Sequence, residues 1–142
     1  VSEPPLSQLL FAVLTAADDA GRVLAERLGT GVSDAEALRH LLTTGPTGPV
    51  ELGRTLGIGS AASTALADRL ERAGHVERRP HPADRRRLQL VPTERAGREV
   101  WAALSPLVTG LDAVEEGLPD ADRAAVRRYL EGVLATYRDY TG

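Results

Sequence analysis

The sequence predicts a mainly α-helical fold with one small β ribbon, in which a helix-turn-helix and its wing are set between longer helices. Three observations carry that prediction. Between Pro46 and Thr93, a short segment, a Gly-Ile-Gly break and a second periodic segment follow one another as two helices around a tight turn would. Directly after them, two short alternating stretches flank an arginine-rich segment, the pattern of an antiparallel ribbon. On both sides of this block, apolar residues recur at alternating steps of three and four, as in helices that pack lengthwise on other helices.

The elements follow in order. Val1 to Pro5 is expected to be extended or disordered, because Pro4-Pro5 cannot occupy a helix interior. Leu6, Leu10, Val13, Ala17, Ala20 and Leu24 form the seam of a first helix that Gly29-Thr30-Gly31 ends. Ser33-Asp34-Ala35-Glu36 reads as a capping box opening a short supporting helix that runs to Thr44. His40 lies one turn after Glu36, and a single Glu and His at that spacing reads as a solvated pair before it reads as a metal or ligand site.

Pro49 suits a first helical position, where its missing N–H costs nothing, and Val50 to Leu56 completes two turns. Gly57-Ile58-Gly59 supplies the break. From Ser60 to Ala73 the apolar face is Ala62, Leu66, Leu70 and Ala73, and the opposite face is Ala61, Thr64, Asp68 and Arg72, with Ser60 and Ala65 beside it. Gly74 ends this helix, Val76 to Arg79 is a strand, Pro80 to Arg87 a turn, and Leu88 to Val91 the returning strand that Pro92 terminates. Thr93 caps the next helix. Its seam is Val100, Leu104, Leu107, Leu111, Val114 and Leu118, with Pro106 expected to kink or restart it and Trp101 expected to pack beside it. After Pro119, Asp120 and Asp122 favour a last helix whose apolar side is Val126, Leu130, Val133 and Tyr137. No repeat or low-complexity segment is visible.

The formal net charge of −3 over 142 residues argues against a nucleic-acid binder until its distribution is read. Pro46 to Val100 holds ten Arg against seven acids, a local +3, while the remainder carries −6; Arg69 to Arg87 alone has seven Arg to three acids. Such clustering is an electrostatic footprint for DNA. The absence of cysteine removes disulfides, thiolate metal sites and thiol redox switches. No apolar run approaches a membrane span and no basic-then-apolar leader is visible, so the expectation is a cytoplasmic protein with no membrane partner.

The run Leu52 to Gly97 resembles the MarR family of bacterial transcription regulators. The matching features are Gly45-Pro46, Leu52 to Ile58, Asp68-Arg69-Leu70-Glu71, Gly74, Arg78-Arg79, Asp84-Arg85-Arg86 and Thr93-Glu94 followed by Gly97, in order and at matching spacing. The resemblance implies a winged helix-turn-helix flanked by dimerisation helices, divided here as an N-terminal helix over 1–32, a DNA-binding unit over 33–98 and C-terminal helices over 99–142. It further implies a homodimer on a palindromic site in double-stranded DNA, and a small aromatic or other organic effector held between the dimer helices and the DNA-reading unit. Leu10, His40 and Trp101 are the candidate pocket residues. Two departures stand out: the recognition face is made of small residues where relatives often carry Arg, Gln or Asn, and Pro92 stands where Leu is usual.

The candidate DNA contacts are Ser60, Ala61, Thr64 and Ala65 in the major groove, through the Thr hydroxyl, methyl groups and the helix N-terminus. Arg69 and Arg72 are the nearest bidentate donors, which Asp68 and Glu71 are able to neutralise by pairing within the helix. Arg86 is assigned to the minor groove, Arg85 and Arg87 to phosphates or to solvent, and Asp84 to stiffening the wing by pairing with Arg86. These residues together give a dimeric DNA-binding regulator, with repression relieved by a ligand as the family pattern implies. The competing reading is a winged-helix interaction or dimerisation module with weak or no DNA binding. Catalysis is disfavoured, since three scattered histidines, no phosphate-cradling loop and no metal motif leave no cofactor and no reaction to assign.

Overall fold

A computed structural model describes residues 2–142 of the protein. The order of elements is α1 (Leu6–Leu28), α2 (Val32–Thr44), α3 (Pro49–Leu56), α4 (Ser60–Arg72), β1 (Val76–His81), β2 (Asp84–Pro92), α5 (Glu94–Glu116) and α6 (Asp120–Thr141). Residues 2–5 precede α1 without regular structure, and Val1 lies outside the described residues. The chain divides into two compact units within α5, one reaching Leu104 and the other Ser105–Gly142.

In the first unit the core is Ala37, Leu38 and Leu41 from α2, Leu52 from α3, Leu66, Ala67 and Leu70 from α4, Val76 and Leu90 from the ribbon, and Ala96 and Val100 from α5. Leu24 and Ala25 at the end of α1 pack with Ala35 in an adjoining cluster. Most of the α1 seam is uncovered, with Leu6, Leu9, Phe11 and Val13 all more than half or half exposed. Gly29 ends α1 at φ 66°, and the N–H groups of Gly29 and Thr30 close back on the carbonyls of Glu26 and Ala25. This left-handed stop is one that glycine reaches without a Cβ penalty.

Several sequence expectations change. The capping box is absent: Gly31 is the N-cap of α2, Ser33 lies inside the helix, and Asp34 is buried. Asp34 is taken instead by an ion pair with Arg69, described below. The buried face of α4 is Ser63, Leu66, Ala67 and Leu70, whereas Ala62 and Ala73 are exposed. The helix is rotated about its axis because Ser63, not Ala62, meets Gly53 of α3. Helix α5 runs through Pro106 without a restart. The hydrogen bond that Pro106 cannot donate would have ended on Ala102, and both residues face solvent, so the freed carbonyl is open to water. Trp101 is 62% exposed rather than packed in the subunit core.

The second unit pairs the end of α5 with α6. Leu111, Val114, Leu118, Val126, Leu130 and Leu134 line an open groove of about 440 Å³ between them. No residue of α6 is buried, although its apolar side has the expected spacing.

Candidate nucleic-acid interface

The helix-turn-helix is set by one close approach. A Cβ on Gly53 would lie 2.9 Å from both Cβ and Oγ of Ser63, so α3 and α4 touch backbone to side chain at that point. The Ser63 hydroxyl donates to the Pro49 carbonyl, which satisfies a buried polar group. Gly57 then turns the chain at φ 68°, and Ile58 N–H closes on the Gly53 carbonyl. Ser63 escaped the sequence reading, yet its spacing to Leu66, Ala67 and Leu70 is i, i+3, i+4 and i+7, a signal that polarity masked.

This rotation leaves Ser60, Ala61, Thr64, Ala65, Asp68 and Arg72 exposed along one side of α4. Gly59 precedes the helix with no side-chain cap, so the first N–H groups remain open at the end where Ser60 and Ala61 stand. Thr64 donates its hydroxyl proton to the Ser60 carbonyl at 3.0 Å, leaving its oxygen as an acceptor toward solvent.

The arginines of this region divide by partner. Arg69 donates through Nε and Nη2 to the two oxygens of Asp34, at 3.0 and 2.8 Å, which pins it against α2. Those hydrogen bonds, and then the charge of Asp34, raise its pKa. Intrahelical neutralisation by Asp68 and Glu71 does not occur. Both acids bind Arg78 of β1, at 2.6 and 2.8 Å, tying the end of α4 to the ribbon. Asp68 leads in raising the Arg78 pKa. Arg79 pairs with Glu77 at 2.6 Å. Arg72, Arg85 and Arg86 have no ion-pair partner among the described residues.

The wing also differs from expectation. The turn is only Pro82-Ala83, and the arginines belong to β2 rather than to a loop. Pro80 pairs with Leu88 and His81 with Asp84, so Arg85, Arg86 and Arg87 have no residue opposite them and stand out as a bulge. Pro80 has no N–H to continue the ladder, which is where such irregularities fall. Asp84 meets Arg86 through the backbone: Arg86 N–H donates to its Oδ1 at 3.0 Å, and among the described residues no ion pair with the Arg86 side chain forms. Across the turn, Ala83 N–H donates to His81 Nδ1 at 3.0 Å. Pro92 closes β2 opposite Val76, and Thr93 accepts from Ala96 N–H at 3.1 Å as the cap of α5.

Arg87 is engaged away from the wing. Its Nη2 donates to Glu51 Oε1 of α3 at 2.7 Å. The pKa of Glu51 is lowered first by its own backbone N–H and then by Arg87. The partners of Glu51 and Arg78 are not legible in the sequence, because each meets its partner only through the fold.

Of the candidate pocket residues, Leu10 on α1 and His40 on α2 are half-buried and Trp101 on α5 is exposed. His40 Nε2 lies 3.1 Å from the Thr44 hydroxyl. Among the described residues no three His, Cys, Asp or Glu side chains are grouped to hold a metal. Likewise, no helix is long and apolar enough to cross a membrane.

Residues 28–87 match the family model described as MarR family. Over 83 residues the chain is 37% identical to the HTH-type transcriptional regulator YcgE of Bacillus subtilis, a match covering 58% of this chain and 54% of the relative, so the likeness spans about half the length of that protein. In fold, the chain is similar to a MarR family protein from Bacillus stearothermophilus, with a TM-score of 0.74 at 22% identity over 96% of this chain and 94% of the other. It is similar also to MarR from E. coli, with a TM-score of 0.65 at 24% identity over 94% and 99% of the two chains. Over residues 28–87 the chain matches the MarR family, and along nearly its whole length it is similar in fold to solved MarR family proteins with a winged helix-turn-helix.

Proposed function

We propose that the protein binds double-stranded DNA as a homodimer and represses transcription until a small organic molecule lowers its affinity. The observation that carries DNA binding is the bulge of β2, which presents Arg85 and Arg86 without ion-pair partners among the described residues, next in sequence to a helix-turn-helix whose second helix exposes Ser60, Ala61, Thr64 and Ala65. Small residues let the α4 backbone approach the major groove, and the arginines supply groove and phosphate contacts. Arg72 joins them as an exposed cation at the far end of α4.

Dimerisation is supported by the apolar surface of the outer helices α1, α5 and α6. Phe11 and Val13 of α1, and Leu111 and Val114 of α5, are each at least 60% exposed, apolar surface that a partner subunit would cover. A two-fold partner would place two α4 helices about 34 Å apart on one face of a palindromic site. Leu10, His40 and Trp101 are the residues we assign to the effector pocket, with Trp101 covered only in the dimer. The repressing role follows the family pattern.

Binding to mixed DNA, measured by fluorescence anisotropy against salt concentration, tests the central claim. A steep loss of affinity with salt is expected from counterion release. A flat response would favour the reading as a winged-helix interaction module, which the overall charge of −3 otherwise recommends. Footprinting on the DNA flanking its own gene would then return the site and its symmetry.

A further inference from the structure

We propose that Glu51 and Arg87 form a latch that fixes the arginine bulge of the wing against the first helix of the helix-turn-helix and withholds Arg87 from DNA, leaving Arg85 and Arg86 as the working cations. The inference rests on the DNA-binding reading above for its second half only.

Glu51 occupies the first turn of α3, where the positive end of the helix favours a carboxylate. Its Oε1 accepts from Arg87 Nη2 at 2.7 Å, across 36 residues of chain. An exposed pair of this kind is worth little alone. Here it is one of two ties at the same place. Leu90 N–H donates to the Thr47 carbonyl at 2.8 Å, so the segment before α3 adds an isolated bridge to the edge of β2. Between these two ties sits Gly48, the N-cap of α3. A Cβ there would run into the Glu51 carboxylate and come within 3.3 Å of the Leu88 carbonyl, so the carboxylate and the wing backbone close over a residue without a side chain.

The consequence is a division of labour within three consecutive arginines. In the bulge their backbone has no partner on β1, which by itself would leave the segment free to move. Asp84 holds the Arg86 backbone and Glu51 holds the Arg87 side chain, so the middle and the last residue of the triplet are held. The charge of Arg87 is thereby cancelled. Glu51 is a positioning residue that acts on DNA only through Arg87.

The test uses Glu51→Gln, Arg87→Gln and the double variant in the full chain, with two readouts. Hydrogen exchange of the amides from Arg85 to Leu88 should quicken about two- to five-fold in each single variant, the shift in opening that an exposed ion pair gives, and no further in the double. On mixed DNA, Glu51→Gln should steepen the dependence of affinity on salt by about one unit as Arg87 is freed for a phosphate, while Arg87→Gln leaves it unchanged. Unaltered exchange in Glu51→Gln would overturn the latch. A slope flattened by a full unit in Arg87→Gln would show Arg87 already on phosphate and overturn the withholding. If the unaltered protein binds no DNA, the reading of function fails and the withholding falls with it, while exchange still decides whether Glu51 positions the wing.

Discussion

Arg69 of the second helix of the helix-turn-helix holds Asp34 of α2 through two hydrogen bonds of 3.0 and 2.8 Å, and the Asp34 side chain is only 10% exposed. An arginine that lies beside the surface assigned to DNA is thus spent on the fold. Arg69→Ala should lower the melting temperature, because it strands a buried carboxylate. It should leave the salt dependence of DNA binding unchanged, since Arg69 releases no phosphate counterion. Calorimetry and anisotropy on the same preparation check both; a slope lower by one unit would return Arg69 to the DNA interface.

Gly53→Ala should destabilise the helix-turn-helix by about 1–3 kcal/mol, the cost of overpacking a close contact. The added carbon would sit 2.9 Å from Ser63, whose hydroxyl is already committed to the Pro49 carbonyl. A urea midpoint equal to that of the unaltered protein would show that α3 and α4 separate freely.

In the wing, Arg86→Ala should cost about 1–3 kcal/mol of affinity for a specific site, the scale of one good groove contact. Arg85→Ala, which removes a proposed phosphate contact, should weaken specific and scrambled sites alike and flatten the salt slope by about one unit. Melting temperatures should hold in both variants, since each side chain is exposed. Unchanged affinity in Arg86→Ala would remove the wing from DNA recognition.

The Glu51–Arg87 pair predicts a pH response of defined sign. The pKa of Glu51 is lowered from its ordinary value of 4.5, by its own backbone N–H and by Arg87, so the ionised form is the one the fold favours. Its contribution is therefore complete above about pH 4.5 and is lost as pH falls through the lower folded value. Exchange protection of the wing, corrected for intrinsic rates, should be flat between neutral pH and about pH 5 and decline only in stronger acid. A decline centred near pH 6 would assign the response to a histidine instead.

Sedimentation should give a dimer at micromolar concentration. Val114 is 68% exposed on the apolar groove of the second unit, so Val114→Asp should yield a monomer whose first unit keeps its helices. A monomer in the unaltered protein would contradict dimerisation through the outer helices.

The sequence by itself determined the order and kind of the elements, because those depend on local signals. Pro49 begins α3, Gly57 turns at positive φ, Gly74 reverses the chain after α4, Pro92 stops β2 and Thr93 caps α5. Each acts within a few residues of itself, and periodicity of three and four needs only the chain to be read. The exposed side of α4 followed from the same rule. Tertiary structure decided which charges are free. Asp34, placed by sequence in a cap, lies against Arg69 from 35 residues away; Asp68 and Glu71, expected to pair along their own helix, turn to Arg78; Arg87, expected on phosphate or in solvent, is held by Glu51. A charged side chain reaches several ångströms and binds whatever the fold brings within that distance, so its partner is fixed by packing rather than by spacing. The extent of the ribbon was hidden for a related reason: a bulge places three arginines in a strand without partners opposite, and their alternation therefore carries no strand signal.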